Sequence, residues 1–194
     1  MELEVAMVYA RALYDAASDL GHVEEVQDEI IQIDHIFREQ EDFQSDYVVG
    51  LEEAGNVSLL GMNSAFRSES FMTSLAAGLR DMMKHEGPVY IHCLEGKDRT
   101  GFVCALMEAL AGASYDELLT DYMTTYENYY GLTKEASPEQ YEAVVSLKFV
   151  DTVSAMGDLS PEDDDFSDSA AQYLLDCGMT GGEIQALRNY LCGE

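Results

Sequence analysis

Basic side chains are scarce in this chain: 10 lysines and arginines stand against 38 aspartates and glutamates, for a formal charge of −28. Binding nucleic acid relies on Lys and Arg displacing counterions from phosphates, and adhesion to an anionic bilayer draws on the same side chains. Neither is an expected partner. A run of ~18 apolar residues is also missing, so no membrane span is expected. The opening "MELEVAMVYARALYDAASDLG" has no basic segment ahead of an apolar one. No signal peptide is read there, and a cytoplasmic location is expected for the chain as given; secretion stays open if it is a fragment. Cysteines number four, Cys93, Cys104, Cys177 and Cys192, with no pair at CxxC spacing. In a chain this long that does not resemble a disulfide scaffold or a zinc site, leaving reduced thiols as the simpler reading. The acidic stretch "GDLSPEDDDFSD" shows no Asp-Gly-Glu calcium-loop pattern and reads as a solvated linker. No metal or cofactor is expected.

What remains is enough for one core. A chain of 194 residues that is 47% hydrophobic can bury one domain with a small appendage. We read residues 1–157 as an α/β domain and 158–194 as the acidic linker with a C-terminal helical hairpin. Charge is distributed unevenly. Between Arg67 and Arg99 five basic residues (Arg67, Arg80, Lys84, Lys97, Arg99) balance five acidic ones, so the remainder carries the whole negative excess. Should that segment fold around one cleft, half of the cations gather at a site where short-range contacts hold an anion; chance clustering is the alternative.

Hydrophobic spacing predicts helices over 2–20 and 22–40, then two β-rich runs around Ala54-Gly55-Asn56 within 46–62. A helix capped by Ser68 or Ser70 runs through Met83, and Val89 to His92 follows as a short buried strand. A further helix opens near Arg99 and continues through Leu110. Ser114 with Glu117, and Ser137 with Pro138, mark two more helix starts. Alternating strand and helix imply an α/β core: a short, mostly parallel sheet flanked by helices, with a helix-rich C-terminal extension and reduced N-terminal strands.

The stretch "VYIHCLEGKDRTGFVCALM" places Cys93 between that strand and a helix start. A cysteine ending a strand, followed by inward-pointing backbone N–H groups and a helix N-terminus, forms a trap for a tetrahedral oxyanion. Gly96 lets the loop curl. Arg99 can offer a planar fork to two phosphate oxygens. The same dipole and cations favour a thiolate at Cys93, a nucleophile at neutral pH.

His92-Cys93-x5-Arg99-Thr100 resembles the HCxxGxxR[ST] signature of the cysteine-dependent protein tyrosine and dual-specificity phosphatases. The fuller "HCLEGKDRTGF" is similar to their bacterial tyrosine/lipid branch. The resemblance implies that Cys93 attacks phosphorus to form a phosphocysteine, which water hydrolyses. It implies that Arg99 and the amides of Leu94, Glu95, Gly96, Lys97, Asp98 and Arg99 hold the phosphoryl oxygens, that Thr100 donates to the sulfur, and that His92 fixes the loop. Phosphorylated protein or a small phosphorylated molecule is the implied substrate. Relatives usually carry their general acid on an upstream loop, where "GMNSAFRSES" has Asn63 and no aspartate. Asp98 resembles the acid of myotubularin-like enzymes, with Glu69 second; pairing of Asp98 with a neighbouring cation is the bland alternative. Lys97 either contacts a second phosphate or supplies local potential, and Arg67 is a substrate clamp or a solvated cation. Tyr122, Tyr126 and Tyr130, four residues apart, read as packing, and Cys104, Cys177 and Cys192 as core residues. If strands are missing, a second copy could cover the sheet edge as a homodimer. A non-catalytic phosphate-binding module, and more remotely a sulfur-transfer or arsenate-reducing enzyme, are the competing readings.

Overall fold

A computed structural model describes residues 50, 53–85, 89–93, 95–157 and 165–193. The chain divides into two units, Met1–Val57 and Ser58–Glu194. In the first, the described residues are Gly50 and 53–57, where the Ala54 N–H donates to the Gly50 carbonyl at 3.0 Å and Gly55 turns at φ 73°. The helices expected over 2–20 and 22–40, and the first β-rich run apart from Gly50, lie outside the described residues.

The second unit is helical. α1 spans Glu69–Met82, α2 Arg99–Ala111, α3 Tyr115–Tyr130 and α4 Pro138–Val144. A π-helical turn, Val145–Phe149, leads into α5, Val150–Ser154; α6 (Ser167–Asp176) and α7 (Gly181–Cys192) form the C-terminal hairpin. Local chemistry sets the ends. The Ser68 hydroxyl accepts from the Phe71 N–H at the start of α1. Glu117 accepts from the Ser114 N–H and hydroxyl at the start of α3, and Glu183 from the Thr180 N–H and hydroxyl at the start of α7. Each satisfies groups that a helix end leaves without partners.

Among the described residues the expected sheet is absent: no strand occurs, and the second β-rich run, 57–62, is irregular. Val89 to Cys93 is irregular as well and is not buried: Val89 is 42% and Tyr90 87% exposed. The β-branched run carries local propensity, but a strand exists only when a neighbour completes its ladder, and the described residues supply none. The α/β class is therefore corrected to a helical architecture for the described part, and the described residues contain no sheet edge of the kind expected to recruit a second copy.

Helices take the place of the sheet. α2 buries Phe102, Val103, Ala105, Leu106, Ala109 and Leu110, so it is apolar on nearly every side. It sits at the centre, packed against α3, α5, α6 and α7. Aromatic rings join the helices near its N-terminus: Phe102 stacks on Phe66 at 4.4 Å and meets Phe71 of α1 and Tyr173 of α6 edge-on at 5.6 and 5.3 Å. The Tyr173 hydroxyl donates to the Phe66 carbonyl. These contacts fix the first turn of α2, where the cysteine loop ends.

Candidate active site

Cys93 closes the irregular segment and the loop then curls at Gly96, whose φ of 76° lies in the left-handed region that glycine adopts without strain. α2 opens at Arg99. The Asp98 side chain makes no capping bond, and the first turn of α2 contains no acidic residue. Its N–H groups are therefore not preempted by a carboxylate and are suited to an incoming anion.

The Cys93 thiol is partly buried, which pushes its pKa up. The nearby Thr100 hydroxyl and the N–H groups of Thr100, Gly96 and Glu95 favour the charged form and outweigh that, so the net shift is below the ordinary thiol value. Thr100 Oγ1 is buried and lacks a well-formed hydrogen bond; a thiolate is the acceptor suited to it. Burial drives Cys104 and Cys177 the other way, to about 11 each. The loop cysteine is thus shifted in the opposite direction to Cys104 and Cys177.

Arg99 is held by a bond from Nη1 to the Met62 carbonyl at 3.1 Å, which orients the guanidinium while leaving other N–H groups for a ligand. Lys97 is enclosed, its side chain 20% exposed, and Nζ lies 2.7 Å from Glu95 Oε2 and 3.6 Å from Asp98 Oδ2. The Glu95 hydrogen bond, together with the Asp98 charge, holds the ammonium well above the usual lysine range against the opposing effect of burial. The other cations of the neutral segment have partners away from the loop. Arg67 pairs with Asp176 at 3.5 Å and lies over the Tyr173 ring; Arg80 pairs with Glu183 at 2.6 Å and Lys84 with Asp81 at 3.2 Å.

Leu94 lies outside the described residues. His92 is exposed and stacks on Tyr90 at 5.8 Å between ring centres. Asn63 accepts from the Ala65 N–H at 2.8 Å in a tight turn, and Glu69 is an exposed first-turn residue of α1. Behind the loop, Gly101 admits Tyr122: a Cβ there would stand 3.0 Å from Tyr122 Cε2. Tyr122 and Tyr126 are buried, whereas Tyr130 is 53% exposed. The Tyr126 hydroxyl is buried without a well-formed hydrogen bond.

Sequence reasoning did not find three of these features. The Met62 carbonyl is a backbone group that any residue type supplies. Glu95 was read only for its amide, although its charge two positions from Lys97 was the available signal. Glu108 on α2 faces Asp121 on α3, and burial followed by that neighbour pushes its pKa up to about 7. Among the described residues no cluster of His, Cys, Asp and Glu is arranged to hold a metal ion, and no helix is long and apolar enough to cross a membrane.

The arrangement comprises a partly buried sulfur biased towards thiolate, a hydroxyl poised beside it, loop amides, an unblocked helix N-terminus and an oriented guanidinium. It can bind a tetrahedral oxyanion and attack its central atom. The family model described as "Tyrosine phosphatase family" matches residues 19–193 of the chain. No curated protein and no solved structure matches it.

Proposed function

The chain belongs to the tyrosine phosphatase family, and from that premise we propose that it hydrolyses phosphomonoesters through a phosphocysteine intermediate at Cys93. The sulfur attacks phosphorus as the ester oxygen departs, taking a proton from Asp98. Arg99 and the amides of the loop hold the three equatorial oxygens as charge redistributes among them. Water then gives a proton to the Asp98 carboxylate as it attacks the phosphorus, the S–P bond breaks, and inorganic phosphate leaves. The Thr100 hydroxyl stabilises the departing thiolate. The carrying observation is the lowered Cys93 thiol, held by Thr100 and the amides of Glu95, Gly96 and Thr100.

A second reading is a phosphate-binding module that keeps the loop but lacks an effective acid. One observation favours it: the upstream loop offers Asn63, engaged in a turn, where an acid would be expected. The two separate on leaving-group dependence. p-Nitrophenyl phosphate needs little protonation, whereas an alkyl phosphate needs it fully. An enzyme with a working acid turns over both, and Cys93→Ser abolishes both. Turnover of the aryl ester alone means thiolate chemistry without the acid, and no turnover of either supports the module.

A further inference from the structure

A substrate with several phosphates needs cations beyond those that hold the reacting one. The cations clustered with this loop in the sequence are the five of residues 67–99. Four already have carboxylate partners: Arg67 with Asp176, Arg80 with Glu183, Lys84 with Asp81, and Lys97 with both Glu95 and Asp98. Arg99, which has no carboxylate within 4.0 Å among the described residues, is engaged by the reacting phosphoryl group in the mechanism above. Lys97 is the one that family resemblance would offer to a second phosphate, yet it is enclosed between two carboxylates of its own loop. Glu95 and Lys97 cancel one another, and Asp98 adds no positive charge in either protonation state. A second phosphate at Lys97 would have to displace the 2.7 Å partner and then sit against its negative charge.

We propose that this cluster makes the loop selective for singly phosphorylated substrates, with Glu95 as the specificity-determining residue that withholds Lys97 from a second phosphate. The inference rests on the phosphatase reading for turnover, but not for binding. Glu95 acts by occupying the ammonium, so removing its charge while keeping its shape releases Lys97.

The experiment compares inositol 1-phosphate with inositol 1,3,4,5-tetrakisphosphate, both alkyl esters, measuring phosphate release by the full chain and by Glu95→Gln. The parent favours the monophosphate in kcat/KM. In Glu95→Gln the ratio moves towards the tetrakisphosphate by at least about threefold. Because each protein is its own reference, a general loss of activity does not alter the reading. Calorimetric titration of Cys93→Ser, with and without Glu95→Gln, gives the same comparison by affinity. A chain that fails to hydrolyse p-nitrophenyl phosphate loses the phosphatase reading, while the titration still decides the preference. Equal or better use of the tetrakisphosphate by the parent, or a ratio unmoved by Glu95→Gln in both measurements, overturns the inference.

Discussion

Thr100 bears directly on whether Cys93 is a reagent or an inert thiol. Burial alone would raise the thiol pKa, as it does for Cys104 and Cys177, and the Thr100 hydroxyl is the first of the groups that reverse it. The Thr100→Val variant keeps the shape and removes the donor. Its Cys93 should titrate higher, and the rate of alkylation by iodoacetamide at pH 7 should fall severalfold, with the pH profile displaced upward. Peptide mapping assigns the modified cysteine; an unchanged profile would mean the amides suffice. Cys93, Gly96, Arg99 and Thr100 stand out in the sequence because the chemistry of an oxyanion loop restricts residue type at fixed spacing, and the structure places them in one loop and helix start. The Met62 carbonyl that orients Arg99 does not stand out, since its contribution is backbone and comes from 37 residues away.

Where α2 crosses α3, the chain has no side chain at Gly101, and Tyr122 fills the space. Gly101→Val would drive two methyl groups against a buried ring that is itself packed on Phe149 at 5.4 Å. Overpacking of this kind costs ~1–3 kcal/mol, so a lower Tm is expected in thermal unfolding, with activity reduced because the site lies two residues from Arg99. The same helix pair contains Glu108 and Asp121. Glu108 is raised from 4.5 to about 7 in the folded protein, so between those values the folded state binds more protons than the unfolded state. Stability therefore falls as pH rises from about 4.5 to about 7 and loses nothing further above it. Glu108→Gln should match the parent below pH 4.5 and exceed it at pH 8 by roughly 1 kcal/mol, allowing for screening of a partly exposed group. Denaturant titrations at the two pH values measure the difference. Elements bounded by capping chemistry were legible in advance: Ser68, Ser114 and Ser137 stand where α1, α3 and α4 begin. The sheet was misread because Val89-Tyr90-Ile91 has β propensity without a ladder partner among the described residues. An α2 that is apolar on nearly all sides fits helices around it as well as a sheet beneath it, so periodicity could not distinguish them.

Across the whole chain, the charge of −28 opposes the anion proposed as the ligand of the loop. The two effects act over different distances. The amides and Arg99 act in contact, from a partly buried loop where added salt screens little, whereas the surplus carboxylates repel an approaching dianion from afar. At 0.1 M salt the Debye length is ~10 Å, against ~30 Å at 0.01 M, so most of the distant repulsion is removed while the contacts persist. Raising ionic strength from 0.01 to 0.15 M should therefore increase kcat/KM for a phosphotyrosine peptide of neutral flanking sequence. A basic protein acting on the same ligand would show the opposite sign, because there salt removes attraction. The change should appear in KM, with kcat nearly constant, since the chemical steps of the proposed reaction follow after the substrate has crossed the repulsive region. Initial rates at fixed pH with sodium chloride as the variable test it. A fall in kcat/KM over that range would mean that the local potential of the loop reaches farther than the anionic body around it.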